Sequence, residues 1–177
     1  MLEPGQNRKI AALTFIIYVH LFFGGIMENK FMKVAINEAK KALILGEVPV
    51  GAVIVKDGKI LAKGYNKKEK LRNVTRHAEI IAIEKASRKI DNWRLNDCDI
   101  YITLEPCPMC ASAIKQSRIS NIYCGLSNSD ENNINIVKAI LNKDKINNSC
   151  NYSCGYFQKE IEDMMKTFFK NTRNRKN

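Results

Sequence analysis

Residues 98–114 read CDIYITLEPCPMCASAI, and this stretch decides the fold. Its first seven residues are an uninterrupted apolar and β-branched run around one acid, the composition of a buried strand. Pro106 ends that strand, because proline has no N–H to give to a ladder. A helix follows through about residue 117. It carries Cys107 and Cys110 in its first turn. A strand that feeds directly into a helix is half of an α/β unit.

The flanks extend the pattern. Apolar residues at Met32, Ala35, Ile36, Ala39 and Leu43 recur at helical spacing. They predict a helix over 28–45 that stops at Gly46. VPVGAVIV (48–55) is a β-branched run, Asp57-Gly58 is a tight-turn dipeptide, and KILAKGYN (59–66) returns. The region 49–66 therefore reads as an antiparallel hairpin. A second helix is expected over 77–90. Downstream, ISNIYCG (119–125) reads as a short strand, 126–133 as a polar loop and 134–141 as a short helix. The last helix, about 156–171, spaces Ile161, Met164, Met165, Phe168 and Phe169 as one core stripe. The order α-β-β-α-β-α-β, then helices, implies a mixed sheet with helices on both faces.

The chain has 177 residues, 45% of them hydrophobic and 27% charged, which suits one folded domain. Its formal net charge is +11. That excess says nothing about fold and favours a polyanionic partner, nucleic acid or an anionic surface. Residues 10–26, IAALTFIIYVHLFFGGI, follow Arg8-Lys9 and resemble a signal peptide without a cleavage site. The run is short for a membrane span. Met27 opens the first amphipathic helix, so 1–26 is expected to be an extension and 27–177 the domain. A membrane anchor is the other reading of 1–26. No membrane role is expected for 27–177, and the cytoplasm is the expected compartment.

Six cysteines and only two histidines, His20 and His77, limit the metal chemistry. Cys107 and Cys110 lie three apart, so their thiols share one face of a helical turn. Helix N-termini favour thiolate. The remaining ligand must be His77, the one histidine of the folded region. Two cysteines and one histidine leave a coordination position open, as catalytic zinc sites do. Glu79 stands two residues after His77, at a helix start, where both side chains can line one pocket. Zinc brings a coordinated water to a pKa of ~7. A carboxylate beside it can take that proton and deliver protons to a ring nitrogen and a departing amine. Cys98 and Cys124 read as small core residues, and Cys150 and Cys154 as unlikely ligands in a polar segment. A redox reading of Cys107 and Cys110 leaves His77-Ala78-Glu79 unexplained.

His-x-Glu followed by Pro-Cys-x-x-Cys is the known zinc deaminase signature. Around it, EVPVGAVIV (47–55), GYN (64–66), HAEIIAI (77–83), YITLEPCPMCASAI (101–114), SRISNIYCG (117–125) and FF (168–169) resemble the bacterial tRNA-specific adenosine deaminases. The resemblance covers roughly 27–173. It implies a cytidine-deaminase-like three-layer α/β/α fold with a central mixed sheet of about five strands. It also implies a homodimer with one zinc per subunit, and hydrolytic conversion of the wobble adenosine (position 34) of a tRNA anticodon stem-loop to inosine. By position, His77, Cys107 and Cys110 would hold zinc and Glu79 would shuttle protons. Asn66 matches an Asn that touches the bound nucleoside; a plain turn Asn is the other reading.

The basic run Lys63, Lys67, Lys68, Lys70, Arg72 and Arg76 leads up to His77 and suits phosphate contact or a solvated face equally. After Gly125 the sequence departs from many relatives, with LSNSDENN in place of a Gly-rich, Lys-containing loop. The alternative function is deamination of a free base or nucleoside, guanine or cytosine, which Pro-Cys-Pro-Met-Cys also suits. A third is a non-catalytic RNA-binding partner that keeps zinc for structure; the intact Glu79 argues against it.

Overall fold

The computed structural model describes residues 30–127, 131–142 and 150–174. The expected extension 1–26 lies outside them. A first helix, α1, covers 30–44 and ends at Gly46, whose φ of +75° is left-handed. Strands β1 (Gly51–Lys56) and β2 (Lys59–Tyr65) form the expected hairpin. Asp57 and Gly58 both have positive φ, 50° and 68°, as a two-residue hairpin turn matched to strand twist requires. Helix α2 (Ala78–Lys89), strand β3 (Cys98–Leu104), helix α3 (Pro108–Gln116) and strand β4 (Asn121–Leu126) follow. Helix α4 (Glu131–Asn142), strand β5 (Asn151–Cys154) and helix α5 (Gln158–Asn174) complete the described chain.

The five strands make one mixed sheet in the order β2-β1-β3-β4-β5. β1 pairs antiparallel with β2 and β3, while β3, β4 and β5 run parallel. Helices α3 and α4 supply the crossovers that parallel neighbours need. Alternate residues of each strand face opposite layers. On one face Ala52, Ile54, Ile100, Ile102 and Ile122 pack with Ala82 of α2, Ile114 of α3 and Leu141 of α4. On the other, Val53, Val55 and Tyr101 pack with Met32 and Ile36 of α1 and Ile161 of α5. The fold is the expected three-layer α/β/α. Cys98 and Cys124 are fully buried, as expected of small core residues.

Three local expectations need correction. The segment around Cys150 and Cys154 is not merely polar, because residues 151–154 form β5 against β4 and Cys150 is buried in the core. The polar loop after β4 is shorter than 126–133, since α4 already begins at Glu131; residues 128–130 lie outside the described set. The stripe of α5 is core only at its start. Ile161 and Met165 are buried, but Phe169 is 48% exposed and meets Phe168 edge to face. It lies two turns beyond Ile161, the residue that packs into the core beneath the sheet.

Candidate active site

Two helix N-termini meet at the carboxyl end of β3. His77 is the N-cap of α2, with φ −74° and ψ 156°, and its carbonyl accepts the first helical bond from Ile81. Cys107 is the N-cap of α3, with φ −72° and ψ 166°, followed by Pro108 in the first turn. These extended dihedrals matter. They free both side chains from the helical direction, so His77 and Glu79 can line one pocket although they sit two residues apart.

The ligand atoms converge. His77 Nδ1 lies 3.7 Å from Cys107 Sγ and 3.5 Å from Cys110 Sγ. All three atoms lie within 4.8 Å of one another. Tetrahedral zinc with ordinary Zn–S and Zn–N bonds sets nitrogen and sulfur about 3.6 Å apart. The donor set therefore fits zinc in chemistry and in spacing. It is the one such cluster found among the described residues, and Cys150 and Cys154 take no part in it.

The electrostatics suit a cation. In the metal-free protein the Cys107 thiol is pulled down to about 4, first by a hydrogen bond from Cys110 and then by one from His77, with burial opposing. Cys110 is pushed far up, because it holds the proton it donates to Cys107 and is itself buried. The His77 imidazole is raised, chiefly by its hydrogen bond to Cys107. The arrangement thus favours a thiolate at Cys107, the form in which a cysteine would hold zinc.

Glu79 is 3% exposed and stands in the first turn of α2. Burial pushes its carboxyl up to about 6, against a backbone hydrogen bond that favours the anion. Its Oε2 is buried without a hydrogen-bond partner. A buried carboxylate oxygen in that state is costly unless something polar occupies the space before it.

A cleft of about 190 Å³ opens over these groups. Val48, Val50 and Leu104 give it apolar walls, and Asn66, Lys68, Glu79 and Glu105 give it polar ones. Asn66 is where the hairpin hands the chain to the site. Its Nδ2 donates to the Val48 carbonyl at 3.3 Å, and its Oδ1 accepts from the Lys68 N–H at 3.4 Å. It thus holds a turn and lines the cleft at once. Of the basic run, Lys68 reaches the cleft, and Arg76 is tied to Glu84 at 2.7 Å. Sequence reasoning missed Glu105, a buried acid whose Oε2 accepts from Ser127 Oγ at 2.9 Å. Its place directly before Pro106-Cys107 was the available signal. It also missed a role for Glu47, although that residue opens the EVPVGAVIV stretch that carries part of the resemblance.

Comparison with known proteins agrees with this geometry. Residues 27–126 match the model of the cytidine and deoxycytidylate deaminase zinc-binding region. The chain is 38% identical over 149 residues to a tRNA-specific adenosine deaminase of Streptococcus pyogenes serotype M1, covering 84% of this chain and 87% of that one. It is 55% identical over 102 residues to the chloroplastic tRNA(adenine(34)) deaminase of Arabidopsis thaliana. That match takes in 58% of this chain and only 8% of the much longer plant protein. A structure from studies of A-to-I editing by tRNA:A34 deaminases at the wobble position superposes with a TM-score of 0.70 at 34% identity. It covers 76% of this chain and 98% of the other. The chain belongs to the cytidine and deoxycytidylate deaminase family, among its tRNA-specific adenosine deaminases.

Proposed function

We propose that the protein deaminates adenosine 34 of a tRNA to inosine, releasing ammonia. The observation that carries the chemistry is the His77, Cys107 and Cys110 cluster beside the buried, unpartnered Glu79 Oε2. The tRNA substrate is supported by the relatives just described and by the net charge of +11.

Zinc, when held by the three ligands, supplies a Lewis acid that makes water nucleophilic near neutral pH. Glu79 takes one proton of the water that attacks C6 of the base and passes it to the adjacent ring nitrogen. It then takes the proton of the C6 hydroxyl so formed and delivers it to the departing amino group, which leaves as ammonia while C6 becomes the carbonyl of inosine. Burial favours the protonated form of Glu79, which helps it hold the proton in transit. The cleft, below the ~300 Å³ typical of pockets for drug-sized ligands, suits one flipped base with sugar and phosphates left outside. Val48, Val50 and Leu104 would flank its faces. Asn66 retains amide hydrogen-bonding capacity for the nucleoside. Lys68 and its basic neighbours would meet the phosphates that flank the splayed base.

We place the catalytic domain at 27–177, working as a homodimer in the cytoplasm. Among the described residues no helix is long and apolar enough to cross a membrane. The assay is direct. The full chain is incubated with a tRNA carrying adenosine at 34, and in parallel with free guanine and cytosine. Inosine at position 34, with the free bases untouched, is expected. Turnover of guanine or cytosine without inosine would transfer the enzyme to the free-base alternative.

A further inference from the structure

Glu47 is a carboxylate at 1% exposure that belongs to neither the metal cluster nor the cleft wall. Among the described residues no lysine or arginine forms an ion pair with it. Its partners are instead two successive backbone amides. The Glu69 N–H donates to Oε2 at 3.1 Å and the Lys70 N–H to Oε1 at 2.7 Å. Burying a charge is tolerated when hydrogen bonds of this charge-assisted kind replace water.

Those amides belong to a closed loop. The Lys67 N–H bonds to the Arg76 carbonyl at 3.0 Å, which pins the loop's two ends together. Inside it, Leu71 N–H reaches Lys67 O at 3.0 Å and Asn73 N–H reaches Lys68 O at 3.1 Å. Asn66 precedes this loop and His77 follows it, so both sides of the cleft are joined through it. The loop carries Lys67, Lys68, Lys70, Arg72 and Arg76 against one acid, Glu69. Internal bonds give the loop its shape. At its ends the Lys68 N–H bonds to Asn66 Oδ1 and Arg76 pairs with Glu84 of α2, while Glu47 holds its middle from the residue before cleft wall Val48.

We infer that Glu47 is a positioning residue for RNA recognition: its buried carboxylate clamps the 67–76 loop so that Lys68 stands at the rim of the cleft. The inference rests on the proposed tRNA reaction for its consequence, though not for its geometry. Zinc binding is independent of the clamp, because His77 and Cys107 are set by the starts of α2 and α3.

Glu47→Gln tests it with little change of volume. The amide keeps one acceptor and turns an NH₂ toward the other backbone N–H. Hydrogen exchange at the Glu69 and Lys70 amides should quicken by about tenfold, the effect of weakening one charge-assisted bond. Peptides covering 78–89 and 108–116 should exchange as before, with one zinc per chain retained. The KM for tRNA should rise about tenfold with kcat within about twofold. Lys68→Ala should raise KM by itself and add little in the Glu47→Gln background. Unchanged exchange, an unchanged KM, or fully additive KM increments would each overturn the proposal. A wild-type chain that makes no inosine would defeat the reaction instead, and exchange would still decide whether Glu47 holds the loop.

Discussion

Glu79 is asked to hold a proton that burial makes it reluctant to release. Its carboxyl sits at about 6 rather than 4.5 in the metal-free protein, mainly through desolvation. An acid whose folded pKa lies above its unfolded one contributes stability that is complete below pH about 4.5. That contribution is lost as the pH rises through about 6. At pH 7 the metal-free protein therefore carries a destabilisation of about 2 kcal/mol from this group. Glu79→Gln removes the charge and keeps the shape. Stripped of metal, the variant should be more stable than the wild type at pH 7 by about 2 kcal/mol and no more stable at pH 4. Urea unfolding at the two pH values measures this. A variant equal to the wild type at both would mean that burial does not strain this carboxylate. His77, Glu79, Cys107 and Cys110 stand out because each residue type and spacing is tied to a chemistry. Glu47 and Glu105 do not, because an acid reads as surface until packing shows it buried.

At the scale of elements, the site depends on how closely α2 lies on the hairpin. A methyl group at Gly64 of β2 would collide with the Ala78 carbonyl and lie 2.8 Å from the Ala82 N–H. The helix can sit where it does only because that strand position has no side chain. Gly64→Ala should destabilise the fold by about 2 kcal/mol, as overpacking does. It should also weaken zinc binding, because His77 is the residue next to Ala78. Chelator competition and urea unfolding on one preparation would report both. Lost stability with unchanged zinc affinity would separate the metal site from this contact. The hairpin and β3 were readable because β-branched runs and Asp57-Gly58 are local signals. β5 was not readable. Its four residues, NYSC, owe their strand conformation to pairing with β4, which no local pattern encodes. The start of α4 was lost for a related reason, since Glu131, Asn132 and Asn133 are polar residues with turn-like composition. Phe169 shows the opposite error, an apolar residue in perfect helical register whose place on the helix lies past the core.

For the whole molecule, the three layers bring two helix starts to the end of one strand. The His77, Cys107 and Cys110 cluster, the buried Glu79 carboxyl and the cleft all lie at that point. The basic loop that brings Lys68 to the cleft sets part of the net positive charge beside the site, where a polyanionic substrate would meet it. The proposed reaction requires a division of labour, with three residues holding zinc and Glu79 moving protons without holding it. The most direct test measures zinc content and inosine yield on the same preparations of wild type and Glu79→Ala. One zinc per chain is expected in both, with inosine formation in the variant reduced by at least about a hundredfold. Loss of zinc from the variant, or turnover within about tenfold of the wild type, would contradict that division of labour.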